Sequence, residues 1–132
     1  QIVWEDGAQD RILNGTIENG VAVGGHAISA VNNQRINYLT PVSSPDLNGV
    51  YDAEIELVIE GQSVTKEGLS SFFPDDWNND RILDEIAYAF SHKKMVRGTT
   101  NTYFGLSKTG IIIQIETDND GAVRLAYPVM VK

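Results

Sequence analysis

Apolar and polar positions alternate along one stretch of the chain, broken only at Val58. Tyr51, Ala53, Ile55, Leu57 and Ile59 are interleaved with Asp52, Glu54, Glu56, Val58 and Glu60, a period of two that predicts a strand with one buried face. Gly61 and Gln62 turn the chain, and 63–66 can pair back as a hairpin partner. Past Phe72, Phe73 and Pro74 the period changes. Ile82, Ile86 and Phe90 recur every four residues, Leu83 and Ala89 widen the stripe, and Asn78 or Asn79 stands where an N-cap belongs, so 81–90 is a predicted helix. Three further strands are expected at 101–106, 110–117 and 122–131, separated by Ser107, Lys108, Thr109 and by the turn residues Asp118, Asn119, Asp120, Gly121. Pro128 lacks the N–H a ladder needs, so the last strand should be an edge or break there.

The first forty residues are Gly- and Asn-rich with short apolar pieces. One short helix is expected at 8–13, with Ile12 and Leu13 facing inward, and glycines 15, 20, 24 and 25 mark turns and tight backbone. Pro41, Ser43, Ser44, Pro45 and Asp46 read as a loop joining two small subdomains. Antiparallel strands with helices that do not alternate with them make an α+β domain.

Composition narrows the chemistry. In 132 residues there are 18 acidic and 10 basic side chains, a net charge of -8, and no cysteine, which excludes disulfide staples and zinc-thiolate sites. The longest uninterrupted apolar run is Ile86 to Phe90, far short of the roughly 18 residues of a membrane span. A chain this acidic is not expected to hold nucleic acid by general electrostatics. It opens at Gln1 without a signal peptide and reads as a piece of a longer polypeptide. Gly20, Gly24 and Gly25 do not make a dinucleotide fingerprint, and no P-loop, HExxH or EF-hand spacing occurs. Asp75 and Asp76 read as a helix start.

Two histidines remain. His92 falls at the end of the predicted helix beside Lys93 and Lys94, where a structural role suffices. His26 follows Gly24 and Gly25, which can let the backbone bring an imidazole close to a ligand. Taken singly, Lys66 is a solvated charge and Tyr127 is half-buried packing.

In order along the chain, however, Arg11-Ile12-Leu13-Asn14-Gly15, Gly24-Gly25-His26, Lys66, the block Ser71-Phe72-Phe73-Pro74-Asp75-Asp76-Trp77 with the helix after it, and Ala126-Tyr127-Pro128 together resemble the EndoU endoribonuclease family, in its bacterial polymorphic and contact-dependent inhibition toxin branch. The resemblance implies an α+β, RNase A-like domain of two lobes, about 1–45 and 46–132, with antiparallel sheets and a cleft between them. It implies an RNase that needs no cofactor and is at most weakly metal-assisted. The ribose 2′-hydroxyl attacks the adjacent phosphate, with His26 as general base, Lys66 stabilising the phosphorane, and Tyr127 contacting the nucleotide beside Gly25 and position 125. Implied partners are an RNA substrate, tRNA included, and an immunity protein. The domain would be the C-terminal payload of a larger protein, secreted or delivered into a target cell's cytoplasm.

Two positions depart from the family pattern. Arg11 stands where the resemblance places a second histidine, the general acid, and a guanidinium does not give up a proton near neutrality. Leu125 stands where a Ser or Thr is usual. Arg11 implies attenuation: a replacement that disarms a toxin, a natural variant of redirected activity, or a position whose role another group fills. The alternative is a non-catalytic member that binds RNA or a protein.

Overall fold

In the computed structural model, which describes residues 1–132, α1 (Ala8–Asn14) leads into a hairpin of β1 (Thr16–Glu18) and β2 (Val21–Val23), and a single turn, α2 (Ser29–Asn32), precedes β3 (Ile36–Pro41). The chain continues through β4 (Tyr51–Ile59), β5 (Gln62–Thr65), β6 (Ser70–Phe72), α3 (Asn79–Ser91), β7 (Lys94–Met95), β8 (Thr102–Leu106), β9 (Ile112–Thr117) and β10 (Val123–Val129).

The alternating stretch is β4, and its apolar set Tyr51, Ala53, Ile55 and Leu57 is buried. β3 pairs antiparallel along one side of it, and β5 and β6 pair with successive parts of the other. Tyr51, Ala53, Ile55, Leu57, Ile36 and Phe72 form one apolar cluster. The second sheet is antiparallel in the order β10-β9-β8-β7, with Ile113 and Ile115 of β9 facing Ile82, Ile86 and Phe90 of α3 in a larger cluster. Asn78 caps α3 by accepting the Arg81 N–H at 2.8 Å. β10 lies at the sheet edge, the place where a strand proline such as Pro128 is tolerated.

The 41–46 loop departs from expectation. It turns one hairpin inside one sheet, because β3 and β4 pair from Ile36↔Leu57 to Pro41↔Ala53. Nor does packing divide near residue 45: Ile12, Leu13 and Ala27 belong to the α3 cluster, with the C-terminal strands. Strand β3 escaped the sequence reading because only Ile36 of its six residues is buried, so it carries no alternation.

Gly105 in β8 is the closest approach of α3 to its sheet. A Cβ there would lie 2.2 Å from the backbone oxygen of Ala89, a clash only helix displacement relieves. Gly105→Ala should lower stability by about 3 kcal/mol, read as a fall in the urea midpoint. An unchanged midpoint would mean that α3 is not seated as described.

Candidate active site

The last carbonyls of a helix have no partner within it. In α1 they are taken by the segment that follows Gly24: Arg11 O accepts the Gly25 N–H at 3.1 Å, Ile12 O the His26 N–H at 2.9 Å and Leu13 O the Ala27 N–H at 3.2 Å. Approach this close excludes side chains, since a Cβ on Gly24 would sit 1.9 Å from Arg11 O. Gly24 and Gly25 also adopt φ of +79° and +80°, where L residues are strained. From the other side, Phe73 N–H donates to His26 O at 3.0 Å. Two elements distant in sequence thus fix the His26 backbone.

Its ring is fixed as well. Nδ1 lies 2.6 Å from the Ser71 carbonyl oxygen, which can only accept, so Nδ1 carries the proton and Nε2 the lone pair of the neutral ring. The Tyr127 ring stacks on the imidazole, with centroids 5.4 Å apart. Tyr127 is held in turn, its hydroxyl donating to Glu116 at 3.0 Å and accepting from Gln114 Nε2 at 2.8 Å. Lys66 Nζ donates to Gly24 O and to Ser70 Oγ, each at 3.0 Å, while Ser70 Oγ donates to Gly25 O at 2.8 Å. His26, Lys66, Leu125 and Tyr127 line one cavity of about 580 Å³, with Gly24, Asp52, Ser71 and Gln114. The volume is that of an ordinary small-ligand site.

Burial and then the neighbouring Lys66 charge push His26 down from 6.5 to about 3, against the opposing Ser71 hydrogen bond. Burial likewise lowers Lys66 to about 8. Burial, reinforced by Glu116, raises Tyr127 to about 12. At neutral pH the cavity therefore holds a neutral imidazole beside one ammonium. A ring 4% exposed beside a cation disfavours its own charged form.

Arg11 is not in the cavity lining. Its Nε meets Glu18 at 2.8 Å and one terminal nitrogen meets Glu5 at 3.2 Å and the Arg124 carbonyl at 3.0 Å. Arg124 binds the same carboxylates, Glu18 at 3.1 Å and Glu5 at 3.6 Å. Burial alone would raise Glu18, but the two guanidiniums together hold it below its usual value. This quartet ties the N-terminal segment, α1, β1 and β10 together. Gly25 contributes backbone only. His92 caps α3, its ring stacked on Tyr88 at 4.8 Å.

Ser70, Gln114 and Glu116 were not singled out from sequence, and Ser71 entered only as the first residue of the family-like block. Ser70 had a signal: it shares a strand face with Phe72 and is as fully buried, and a buried hydroxyl needs partners. The Ser71 carbonyl, being backbone, had none.

The signature of bacterial EndoU nucleases matches residues 5–130. The chain belongs to that family. A Bacillus cereus protein named "Toxin" is 36% identical over 81 residues, which are 61% of this chain and 14% of the relative. The matched part of the chain thus spans about a seventh of that relative's length. No solved structure matches significantly.

Stability of this EndoU domain should depend on His26. Its imidazole titrates near 6.5 when unfolded and about 3 when folded, so between those values the unfolded chain binds more protons. The contribution is complete above the unfolded value and declines as pH falls, by about 1 kcal/mol per pH unit. Urea unfolding at about pH 7 and about pH 5 measures this slope. It should be reduced in His26→Asn, whose amide can still donate to Ser71 O without titrating. An equal slope in the variant would assign the effect to other groups.

Proposed function

We propose that the domain is an endoribonuclease toxin module acting at the His26–Lys66 cavity. The observation that carries this reading is an imidazole whose Nδ1 is committed to Ser71 O, leaving Nε2 basic beside the Lys66 ammonium. His26 Nε2 removes the proton from a ribose 2′-hydroxyl. That oxygen forms a bond to the adjacent phosphorus, the phosphorus to 5′-oxygen bond breaks, and the products are a 2′,3′-cyclic phosphate and a 5′-hydroxyl. Lys66 compensates charge on the phosphorane and, with its pKa lowered to about 8, is an acid able to protonate the departing oxygen. A phosphate anion beside His26 raises its basicity in the complex, because an opposite charge favours the imidazolium. Both groups recover their starting states by exchange with water.

Arg11 sits where the family resemblance implies a histidine, and its guanidinium is spent on Glu5 and Glu18. We read the activity as attenuated for that reason. The same observation favours a second reading, a non-catalytic RNA-binding member. The match to a small fraction of a larger toxin supports a payload delivered into a target cell, with RNA, tRNA included, as substrate. An immunity protein would then cover the cavity.

Incubated with RNA in EDTA, the domain should leave cyclic phosphate ends, and His26→Asn should cut the rate by about 10² or more. Because kcat/KM reports the free enzyme, it should stay level from about pH 5 to about pH 7 and decline above about 8. Cleavage that survives His26→Asn would place the chemistry elsewhere.

Arg11→His tests the attenuation separately. The Arg11 Cγ lies beside Gly24, 3.4 Å from where a Cβ there would be, and Gly24 lines the cavity. A side chain as short as histidine at this position should raise cleavage by about 10² or more, with some loss of stability from the broken quartet. An unchanged rate would make Arg11 a brace and nothing more.

A further inference from the structure

Strand register carries the cavity floor outward across the second sheet. Tyr127 in β10 is opposite Gln114 in β9, Gln114 is opposite Phe104 in β8, and Phe104 is opposite Lys94 in β7. Residues opposite one another share a face, and α3 covers the other face, at Gly105. The outward row therefore begins at the tyrosine stacked on His26 and ends at a lysine on the far edge, roughly 14 Å away after three interstrand spacings. The outer faces of antiparallel sheets are usually polar, yet here Phe104 is 41% and Leu106 50% exposed. β7 pairs with β8 only at Tyr103 and Phe104, and beyond them a cavity of about 510 Å³ opens between Phe104, Leu106, Tyr88, His92, Lys94 and Lys108.

Charge distinguishes this corner from the rest of an acidic molecule. Arg11, Arg35, Arg81 and Arg124 are ion-paired, and Lys66 is bound within the first cavity. Of the five remaining cations, Lys93, Lys94, Arg97 and Lys108 all lie in β7 or in the segments beside β7 and β8, and none is in an ion pair. Of the carboxylates at this corner, Glu116 already accepts the Tyr127 hydroxyl, and Glu85 accepts the Lys108 backbone N–H at 2.8 Å and pairs with Arg81.

We propose that this corner is a second RNA subsite, in which an unpaired base flanking the scissile linkage stacks on Phe104 while Lys94 and Lys108 hold the adjoining phosphates. Aromatic stacking with nearby cations is the general means of holding single-stranded nucleic acid. Continuity with the first cavity and complementary charge select RNA as the occupant over an apolar protein surface. The inference rests on the nuclease reading, and its test separates the two.

Cleavage of a dinucleotide and of a hexanucleotide RNA sharing one scissile step should be compared in the unaltered domain, in Phe104→Ala and in the double variant Lys94→Glu with Lys108→Glu. Binding of a fluorescent hexanucleotide blocked by a 2′-deoxy sugar at that step is followed by anisotropy, and thermal unfolding checks that each variant is folded. These side chains are exposed, so folding should persist. The hexanucleotide-to-dinucleotide ratio of kcat/KM should fall about 10-fold in each variant, with a matching loss of hexanucleotide affinity. Unchanged ratios and affinities in folded variants overturn the subsite while leaving the nuclease reading intact, and free this face for a protein partner. If the unaltered domain binds the hexanucleotide but cleaves neither RNA, the nuclease reading fails, and weaker binding by the variants still supports the subsite. Absence of both binding and cleavage overturns both.

Discussion

The candidate site depends on three backbone hydrogen bonds. The carbonyls of Arg11, Ile12 and Leu13 at the end of α1 are answered by the N–H groups of Gly25, His26 and Ala27, so completing the helix and placing the histidine are one event. Nothing larger than glycine at position 24 permits it. The same segment is gripped from the opposite side by Phe73 N–H and the Ser71 carbonyl, which come from the chain around β6. β6 in turn exists because Phe72 fills the cluster under β4. A histidine on a Gly-rich loop thereby acquires the rigidity of the sheet and helix that flank it, with little of its own packing. Positional precision of this kind is what proton transfer requires.

Electrostatics follow from that placement. Burying the imidazole beside Lys66 makes the neutral ring the stable species, and the Nδ1 hydrogen bond decides which nitrogen keeps the lone pair. Lys66 is not a free charge either: two of its three donors go to Gly24 O and Ser70 Oγ, leaving one for a ligand. A base and an acid whose values are both displaced, in one cavity, are a stronger functional sign than either residue alone. Arg11 shows the contrary case. Its position in the sequence motif is that of an implied catalytic histidine, but its side chain turns to Glu5 and Glu18. Two carboxylates and a carbonyl take three of the five donors of that guanidinium, and the carboxylates offset its charge toward an anion.

Sequence was informative where side-chain periodicity has one dominant cause. β4, α3 and the β8 to β10 run were readable because each buries one face against one partner. In the N-terminal third only α1, which buries Ile12 and Leu13, was readable, since the β1–β2 hairpin, α2 and β3 bury few side chains and are held by backbone pairing that leaves no hydropathy pattern. The site divides in the same way. His26, Lys66 and Tyr127 were reached through a family resemblance and converge on one cavity, whereas the Ser71 carbonyl and the Arg11 ion pairs are products of tertiary proximity. The loop after β3 misled for a further reason: Pro and Ser mark a turn without saying whether it lies within a sheet or between subdomains.

The net charge of -8 does not weigh on the molecule uniformly. Four arginines are committed to carboxylates, so much of the basic complement is internal bracing and contributes no field to a ligand. What remains is one buried lysine in a cavity and a group of unpaired cations three strands away. A polyanion would then meet repulsion over most of the surface and attraction along one row of a sheet. Such a distribution disfavours non-specific adhesion to nucleic acid, because that adhesion scales with the number of phosphates contacted. It leaves short, local recognition as the form of binding compatible with both the acidity and the site.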